Sequence, residues 1–506
     1  MAAAAFLKEI HLIDFAMEKC GVRDLSRLTN ASKLLGSELK GVRVVTTHRS
    51  DLKQSFKIAA VSQCPASEFT FEYEGRQISI VEYFQTQYGL RLQYPWLPVI
   101  LKSNKKTAFP MEYLKIAPSQ RALKKLDGTQ VSEMIKATIQ KPFQRKKQIE
   151  SSSQSILKFN QNEYLKSFGL QVSNSLMTIP ARVLPAPNVV FAKGKSTSGR
   201  DGAWNLKNVT LCSTPTVSSL AFVFFVRVDK STADEIRNSL IRKWQQTGVR
   251  IEAKNIPVVI SNPFQQNAVH SALRSAFTEA THSCGARCQM IVCIIDKEPK
   301  KLYEDIKRIT LSEAGVLSQC IQYSHVRRPD GIKDQYAANV AMKLNIKLGG
   351  ATNTVEKLPG CHIPTMLVGA DVTHPSPGSG APSLAAVATS VDKNATRYNT
   401  FLRCQKSRLE IIADMEQIIG KGLDRFKAAN SIYPSQIIFF RDGVSSGQFA
   451  AVRLHEIKAI HKALYERGLE DKCKLVFLVV QKRHHIRLFP IDREDRSGNC
   501  LPGTVV

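Results

Sequence analysis

Short apolar runs bounded by turn residues recur through the second half of this 506-residue chain. They include SLAFVFFVRV from Ser219, QMIVCIID from Gln289, TMLVGAD from Thr365, SQIIFFRDG from Ser435 and KLVFLVVQKR from Lys474. Runs of this length that end in Gly, Pro or Asp read as buried strands rather than helices. Helical patterns such as KSRLEIIADMEQIIGKGL lie between them, and the alternation predicts a covered, largely parallel or mixed sheet. The first 112 residues differ. GVRVVTTH, FTFEYEG and LRLQYPWLPVIL are short β-like runs mixed with aromatics, the pattern of a small barrel-like, mainly β domain. After them QRALKKLDGTQVSEMIKATIQ reads as helix and KPFQRKKQIESSSQS as a charged connecting segment. Pro, Gly and Ser are dense from Leu184 to Lys207, the composition of a long loop or linker.

The length suggests several domains. Charge narrows the partner: 71 Lys and Arg against 43 Asp and Glu leave a net charge of +28. The positive charge is spread along the chain, which predicts a large basic surface or channel for a polyanion. An anionic membrane is the competing partner, but no basic amphipathic helix stands out. No run approaches the roughly 18 apolar residues of a membrane span, and MAAAAFLKEIHLIDF gains charge too early for a secretory signal. The 11 cysteines are scattered, without paired zinc spacing, as expected of reduced thiols in a cytoplasmic protein that is also compatible with the nucleus.

Two of the apolar runs deliver an aspartate at their C-terminal ends, Asp371 and Asp442. Between them Glu410 opens a helical pattern, with Asp414 and Glu416 as rivals. Asp, Glu, Asp on strand, intervening segment and strand is the order of a ribonuclease H-like nuclease. In such sites clustered carboxylates hold two Mg²⁺ ions that activate water and stabilise a leaving phosphodiester oxygen. The plainer reading leaves Asp371 as a turn cap and Glu410 on a solvated helix face. Elsewhere Tyr303 and Lys307 in YEDIK, and Lys343 and Lys347 in KLNIK, are i,i+4 pairs that each share one helix face, with Gly349-Gly350 as a helix stop. From spacing alone these are equally a solvated basic face.

GADVTHPSPG, IIFFRDGVSSGQF and VVQKRHHIRLF resemble the Piwi domain of eukaryotic Argonaute proteins, which bind a small guide RNA and silence complementary transcripts. KLNIKLGG resembles the end of the Mid domain, VEYFQTQYGLRLQYPWLPVI resembles the PAZ domain, and ARVLPAPNVVF with GAWNLKN resembles the linker between them. The resemblance implies PAZ with a preceding segment over 1–112, linker over 113–207, a Rossmann-like Mid over 208–355 and a ribonuclease H-like Piwi over 356–506. The overall class is multidomain α/β. No N-terminal domain precedes PAZ in this sequence, and GNCLPGTVV stops short of the usual Piwi C-terminus.

By this resemblance Asp371, Glu410 and Asp442 match the first three members of a catalytic tetrad, with Asp371 and Asp442 as ligands for Mg²⁺ or Mn²⁺. The fourth member falls beyond Val506, and His374 and His484 belong to other motifs. Tyr303, Lys307, Gln319, Lys343 and Lys347 match the pocket for the guide 5′ phosphate. His48, Phe56, Phe71, Tyr83 and Tyr88 match positions around the guide 3′ end, with Gln54 where many members carry a basic residue and Lys53 as its substitute. Lys482, Arg483 and Arg487 match contacts to the guide backbone. The expected partners are a 5′-phosphorylated guide RNA, a complementary target RNA and silencing partner proteins, with no membrane. Two functional classes follow: a Mg²⁺-dependent endoribonuclease, or a non-cleaving guide-binding protein that silences through recruited partners. Without the fourth tetrad member, guide-directed cleavage by these 506 residues is expected to be very weak. A general basic RNA-binding protein with structural acids is the third, and it predicts no preference for a 5′ phosphate.

Overall fold

The computed structural model describes residues 4–22, 24–103, 107–122, 128–206, 209–263, 265, 267–296, 300–327, 331–375, 380–482 and 484–506. The chain divides into two compact units, Met1–Gln140 and Lys141–Val506. The first is β-rich. Its strands form three short sheets, two of three strands and one of two, rather than one closed barrel. They surround a single core that includes Leu12, Val44, Phe56, Phe84, Ile100 and Leu114. The strand Leu114–Ile116 pairs with Arg43–Thr46, so this unit extends through residues that composition assigns to the connecting segment. The helix Ile80–Tyr88 begins with a capping box, in which the Ser79 hydroxyl accepts from the Glu82 amide and Glu82 accepts from the Ser79 amide. Gly89 ends it at φ 68°. That helix sets Tyr83 and Tyr88 on the edge of the core.

The second unit holds two main sheets. In the first, β1 (Leu220–Phe224), β2 (Val258–Ile260), β3 (Met290–Ile295) and β4 (Leu317–Gln322) are all parallel, in the spatial order β2-β1-β3-β4. Every residue of β1 and β3 is buried, which explains their unbroken apolar sequence. Helices α1 (Lys230–Gln246) and α4 (Asp334–Lys347) cover one face, where Leu240, Trp244, Val340 and Leu344 pack on Phe222, Val292 and Ile321. Helices α2 (Ala268–Ser283) and α3 (Lys300–Arg308) cover the other, where Leu273, Ala276, Leu302 and Ile306 pack on Val223, Ile291 and Cys293. This is a three-layer, Rossmann-like arrangement.

In the second sheet β5 (Thr365–Thr373), β6 (Ser383–Ser390) and β7 (Tyr398–Gln405) form an antiparallel meander. The helix α5 (Met415–Asn430) then leads to β8 (Gln436–Asp442), and α6 (Lys458–Tyr465) leads to β9 (Lys474–Val480), both strands running parallel to β5. The spatial order is β7-β6-β5-β8-β9. Met366, Val368 and Ala370 of β5 and Ile437 and Phe439 of β8 bury one face under α5 and α6. Because strand side chains alternate, the residues between them, ending in Asp371 and Asp442, share the opposite face. Leu384, Leu402, Phe440 and Leu478 are exposed.

Candidate functional site

β4 is an edge strand of its sheet, so its outer backbone groups are free to bond side chains. Two lysines use them, one from each helical layer. Lys307, at the end of α3, donates to the Ser318 carbonyl at 2.8 Å and to the Ser318 hydroxyl at 2.9 Å. Lys347, at the end of α4, donates to the same carbonyl at 2.8 Å and to Gln319 Oε1 at 2.8 Å. Gln319 is 7% exposed and donates from Nε2 to the Cys320 carbonyl. The Lys307 ammonium lies 5.6 Å from the centre of the Tyr303 ring, which is itself exposed. Lys343 stands exposed one turn before Lys347. All five residues expected of a phosphate pocket therefore fall on the elements around one edge strand. Burial first, then the charges of Lys307 and Lys343, push the Lys347 ammonium down to about 8, although Cys320 and Cys293 pull the other way. Two cations so close to each other are poised to accept an anion.

The register of β5 on β8 pairs Ala370 with Arg441, so Asp371 and Asp442 follow side by side on one face. Asp371 Oδ1 accepts from the Val372 amide at 2.8 Å. A Cβ on Gly443, at φ +84°, would come within 3.1 Å of that oxygen, so glycine suits both the backbone turn and the closeness of the carboxylate. Lys482 forms an ion pair with Asp442. The Asp442 carboxylate, and beyond it that of Asp371, hold the Lys482 ammonium above its ordinary value. A cation thus already sits where two hard oxygen donors meet, and the donor chemistry fits a divalent ion.

Glu410 lies on the loop before α5 and is tied on both oxygens. Oε1 accepts from Arg441 Nη2 at 3.1 Å, and Oε2 is 2.8 Å from His374 Nε2, whose other ring nitrogen is 2.8 Å from the Ser383 hydroxyl. Arg441 also donates to the Glu410 carbonyl at 2.7 Å and pairs with Glu456 at 3.0 Å. Arg441 and Glu456 are both fully buried. No three His, Cys, Asp or Glu side chains among the described residues converge as a metal cluster. Glu410 is held by Arg441 and His374 instead, and sequence reading missed both holders. The signal for Arg441 was present: it continues the inward alternation of Ile437 and Phe439, and a buried charge needs a counter-ion.

In the first unit His48, Phe71, Tyr83 and Tyr88 belong to one ring cluster, extended by Tyr73, Phe84 and Tyr113. His48 lies 4.9 Å from Tyr88 and 5.4 Å from Phe84, and Tyr83 lies 5.3 Å from Phe71. Burial, then a hydrogen bond with Tyr88, pushes the Tyr83 hydroxyl up to about 12. Burial, then Arg49, holds the His48 ring below its usual value, and its Nδ1 is buried without a partner among the described residues. Phe56, 5% exposed, joins this cluster through Phe109, which lies 5.1 Å from Phe56 and 5.9 Å from His48. Arg487 is exposed and donates to the His484 and Ile486 carbonyls; Arg483 lies outside the described residues.

Comparison with known proteins gives this geometry a family. The Piwi domain model matches residues 290–506, the PAZ domain model residues 13–135 and the Argonaute linker 2 domain model residues 144–191. Over 100% of its length the chain is 35% identical to protein argonaute 10 of Arabidopsis thaliana, of which it covers 54%. It is 34% identical, again over 100% of its length, to protein argonaute MEL1 of Oryza sativa subsp. japonica, of which it covers 51%. The chain thus spans about half the length of these relatives. Among solved structures, Kluyveromyces polysporus Argonaute with a guide RNA is similar at a TM-score of 0.68 and 23% identity, covering 95% of this chain and 56% of that one. With PAZ, linker and Piwi matches in order along its length, the chain belongs to the Argonaute family.

Proposed function

We propose that this chain binds a small guide RNA by its 5′ phosphate and acts in RNA-mediated silencing of complementary RNA. The observation that carries this reading is the convergence of Lys307 and Lys347 on one edge-strand carbonyl beside Gln319 and the open face of Tyr303. The two ammonium groups supply charge for a phosphate, Gln319 supplies a neutral donor, and the Tyr303 ring offers a face on which a terminal base stacks. The net charge of +28 supports a long polyanion beyond that first phosphate. The ring cluster of His48, Phe71, Tyr83 and Tyr88 suits a splayed 3′ nucleotide. Lys343 stands exposed beside the pocket, available to the same 5′ phosphate, and Arg487 is exposed for backbone phosphates. The free state of all 11 cysteines supports a reducing, cytoplasmic or nuclear setting. No helix among the described residues is long and apolar enough to cross a membrane. Lys307→Ala or Lys343→Ala is expected to weaken a 5′-phosphorylated RNA by about 1–3 kcal/mol, the order of a charged hydrogen bond. The same RNA without its phosphate loses much less. Equal losses for both RNAs would remove the pocket from this reading.

Asp371 and Asp442 are the residues that would hold Mg²⁺ or Mn²⁺, with Glu410 as the third carboxylate. Such ions, when bound, supply activation of water and stabilisation of the leaving oxygen in phosphodiester cleavage. The chain's own part is to hold two carboxylates on adjacent strand ends and to keep Glu410 oriented through Arg441 and His374. One observation favours the non-cleaving reading: Lys482 neutralises Asp442. Lys482→Met is therefore expected to tighten Mn²⁺ binding in a direct titration, because it removes the cation that pairs with Asp442. Asp442→Asn should abolish it. Unchanged Mn²⁺ affinity in Lys482→Met would mean that the lysine does not compete with the ion.

A further inference from the structure

Two free thiols lie behind the phosphate pocket and have no part in the reading above. Cys293 of β3 and Cys320 of β4 are direct cross-strand partners in a parallel ladder, so their side chains share one face. In-register neighbours on adjacent strands are about 4.8 Å apart, within the roughly 4.4–6.8 Å between Cα atoms that a disulfide spans. Both sulfurs face the layer that contains α3, where Cys293 is fully buried and Cys320 is partly buried against the same core. The two thiols interact closely enough that each shifts the titration of the other. Cys320 adjoins Gln319 in sequence, and both lysine ammonium groups bond the Ser318 carbonyl two residues before it.

We propose that Cys293 and Cys320 form a peroxide-sensitive dithiol whose oxidation to a disulfide weakens the grip of the adjacent pocket on a 5′ phosphate. The consequence for RNA rests on the pocket reading above; the pairing of the thiols does not. The chemistry divides the two sulfurs by exposure. Cys320 is the reachable one, and its thiol is held below its usual value, first by the hydrogen bond from Cys293 and then by Lys307 and Lys347. Its thiolate attacks one peroxide oxygen, the O–O bond breaks, hydroxide leaves and Cys320 becomes a sulfenic acid. The Cys293 sulfur then attacks the Cys320 sulfur, an S–S bond forms and water leaves with the Cys293 proton. Two thiols are oxidised and one peroxide is reduced. Drawing the sulfurs together to about 2.05 Å pulls on the strand that carries Ser318 and Gln319. It also removes the thiolate that favours the charged form of Lys347.

The test uses the full chain, hydrogen peroxide and a 5′-phosphorylated single-stranded RNA. Mass spectrometry of the peroxide-treated protein should recover a peptide pair linked through Cys293 and Cys320 that thiol reductant releases. The oxidised protein should bind the phosphorylated RNA about tenfold more weakly, the loss of one charged contact. Reductant should restore binding, and Cys320→Ala and Cys293→Ala should be insensitive to peroxide. Oxidation of Cys320 to sulfinic acid without the linked pair would overturn the proposal. So would a linked pair with unchanged affinity, in a protein that when reduced still prefers the phosphorylated RNA. A reduced protein without that preference would instead remove the pocket reading, with the thiol pairing judged separately by the linked peptide.

Discussion

Arg441→Met is expected to cost about 3–5 kcal/mol of stability, the scale for breaking a fully buried ion pair by removing one partner. The substitution leaves the Glu456 carboxylate, which is 0% exposed, facing a methionine. Among the described residues Glu456 then keeps only the Ile412 amide, bonded at 3.0 Å. The damage spreads because Arg441 ties three segments: the end of β8, the helical segment Arg453–Ile457 that bears Glu456, and the loop bearing Glu410. Urea unfolding reads the loss directly. Adding Glu456→Gln to Arg441→Met should recover a large part of it, since the second change removes the orphaned charge, and the double-mutant cycle isolates that coupling. A loss below about 1 kcal/mol, the scale of an exposed ion pair, would show that this network is not buried in solution.

Lys347→Ala should have the largest effect on RNA binding of any single pocket substitution, about 1.5–3 kcal/mol, because its ammonium bonds both Ser318 and Gln319. Its titration gives the effect a pH signature. Burial and the facing charges of Lys307 and Lys343 outweigh the opposite pull of Cys320 and Cys293, and leave Lys347 at about 8. The ammonium is therefore present below that pH and lost as pH rises through it. Phosphate binds the ammonium, so affinity for 5′-phosphorylated RNA should fall as pH rises through about 8 in the wild type. Lys347→Ala should flatten that fall. An affinity that does not change across this window would place the phosphate away from Lys347.

The sheet strands were readable because fully covered strands must be apolar along their whole length, as in β1 and β3. The same logic put Asp371 and Asp442 at strand ends, and the parallel register of β5 and β8 brings them together. The lysines were legible only as pairs on helix faces. Their meeting point, the Ser318 carbonyl, depends on β4 being an edge strand, which is a matter of sheet order and not of local pattern. Phe56 is the buried middle residue of the three-residue strand Ser55–Lys57, between two exposed neighbours, a placement that its motif alone does not reveal. Lys482, which the resemblance matches to a guide-backbone contact, pairs with Asp442 in the folded chain. Sequence separation hid that pair, as it hid His374 from Glu410.

Equilibrium binding of one short RNA to the wild-type chain, with and without a 5′ phosphate, compared at matched salt from low to high, bears most directly on the pocket. The phosphorylated RNA should bind more tightly by about tenfold or more, and this preference should narrow as salt rises because phosphate contacts release counterions. Equal affinity for the two RNAs at low salt would contradict a 5′-phosphate pocket and leave only a general basic RNA-binding surface.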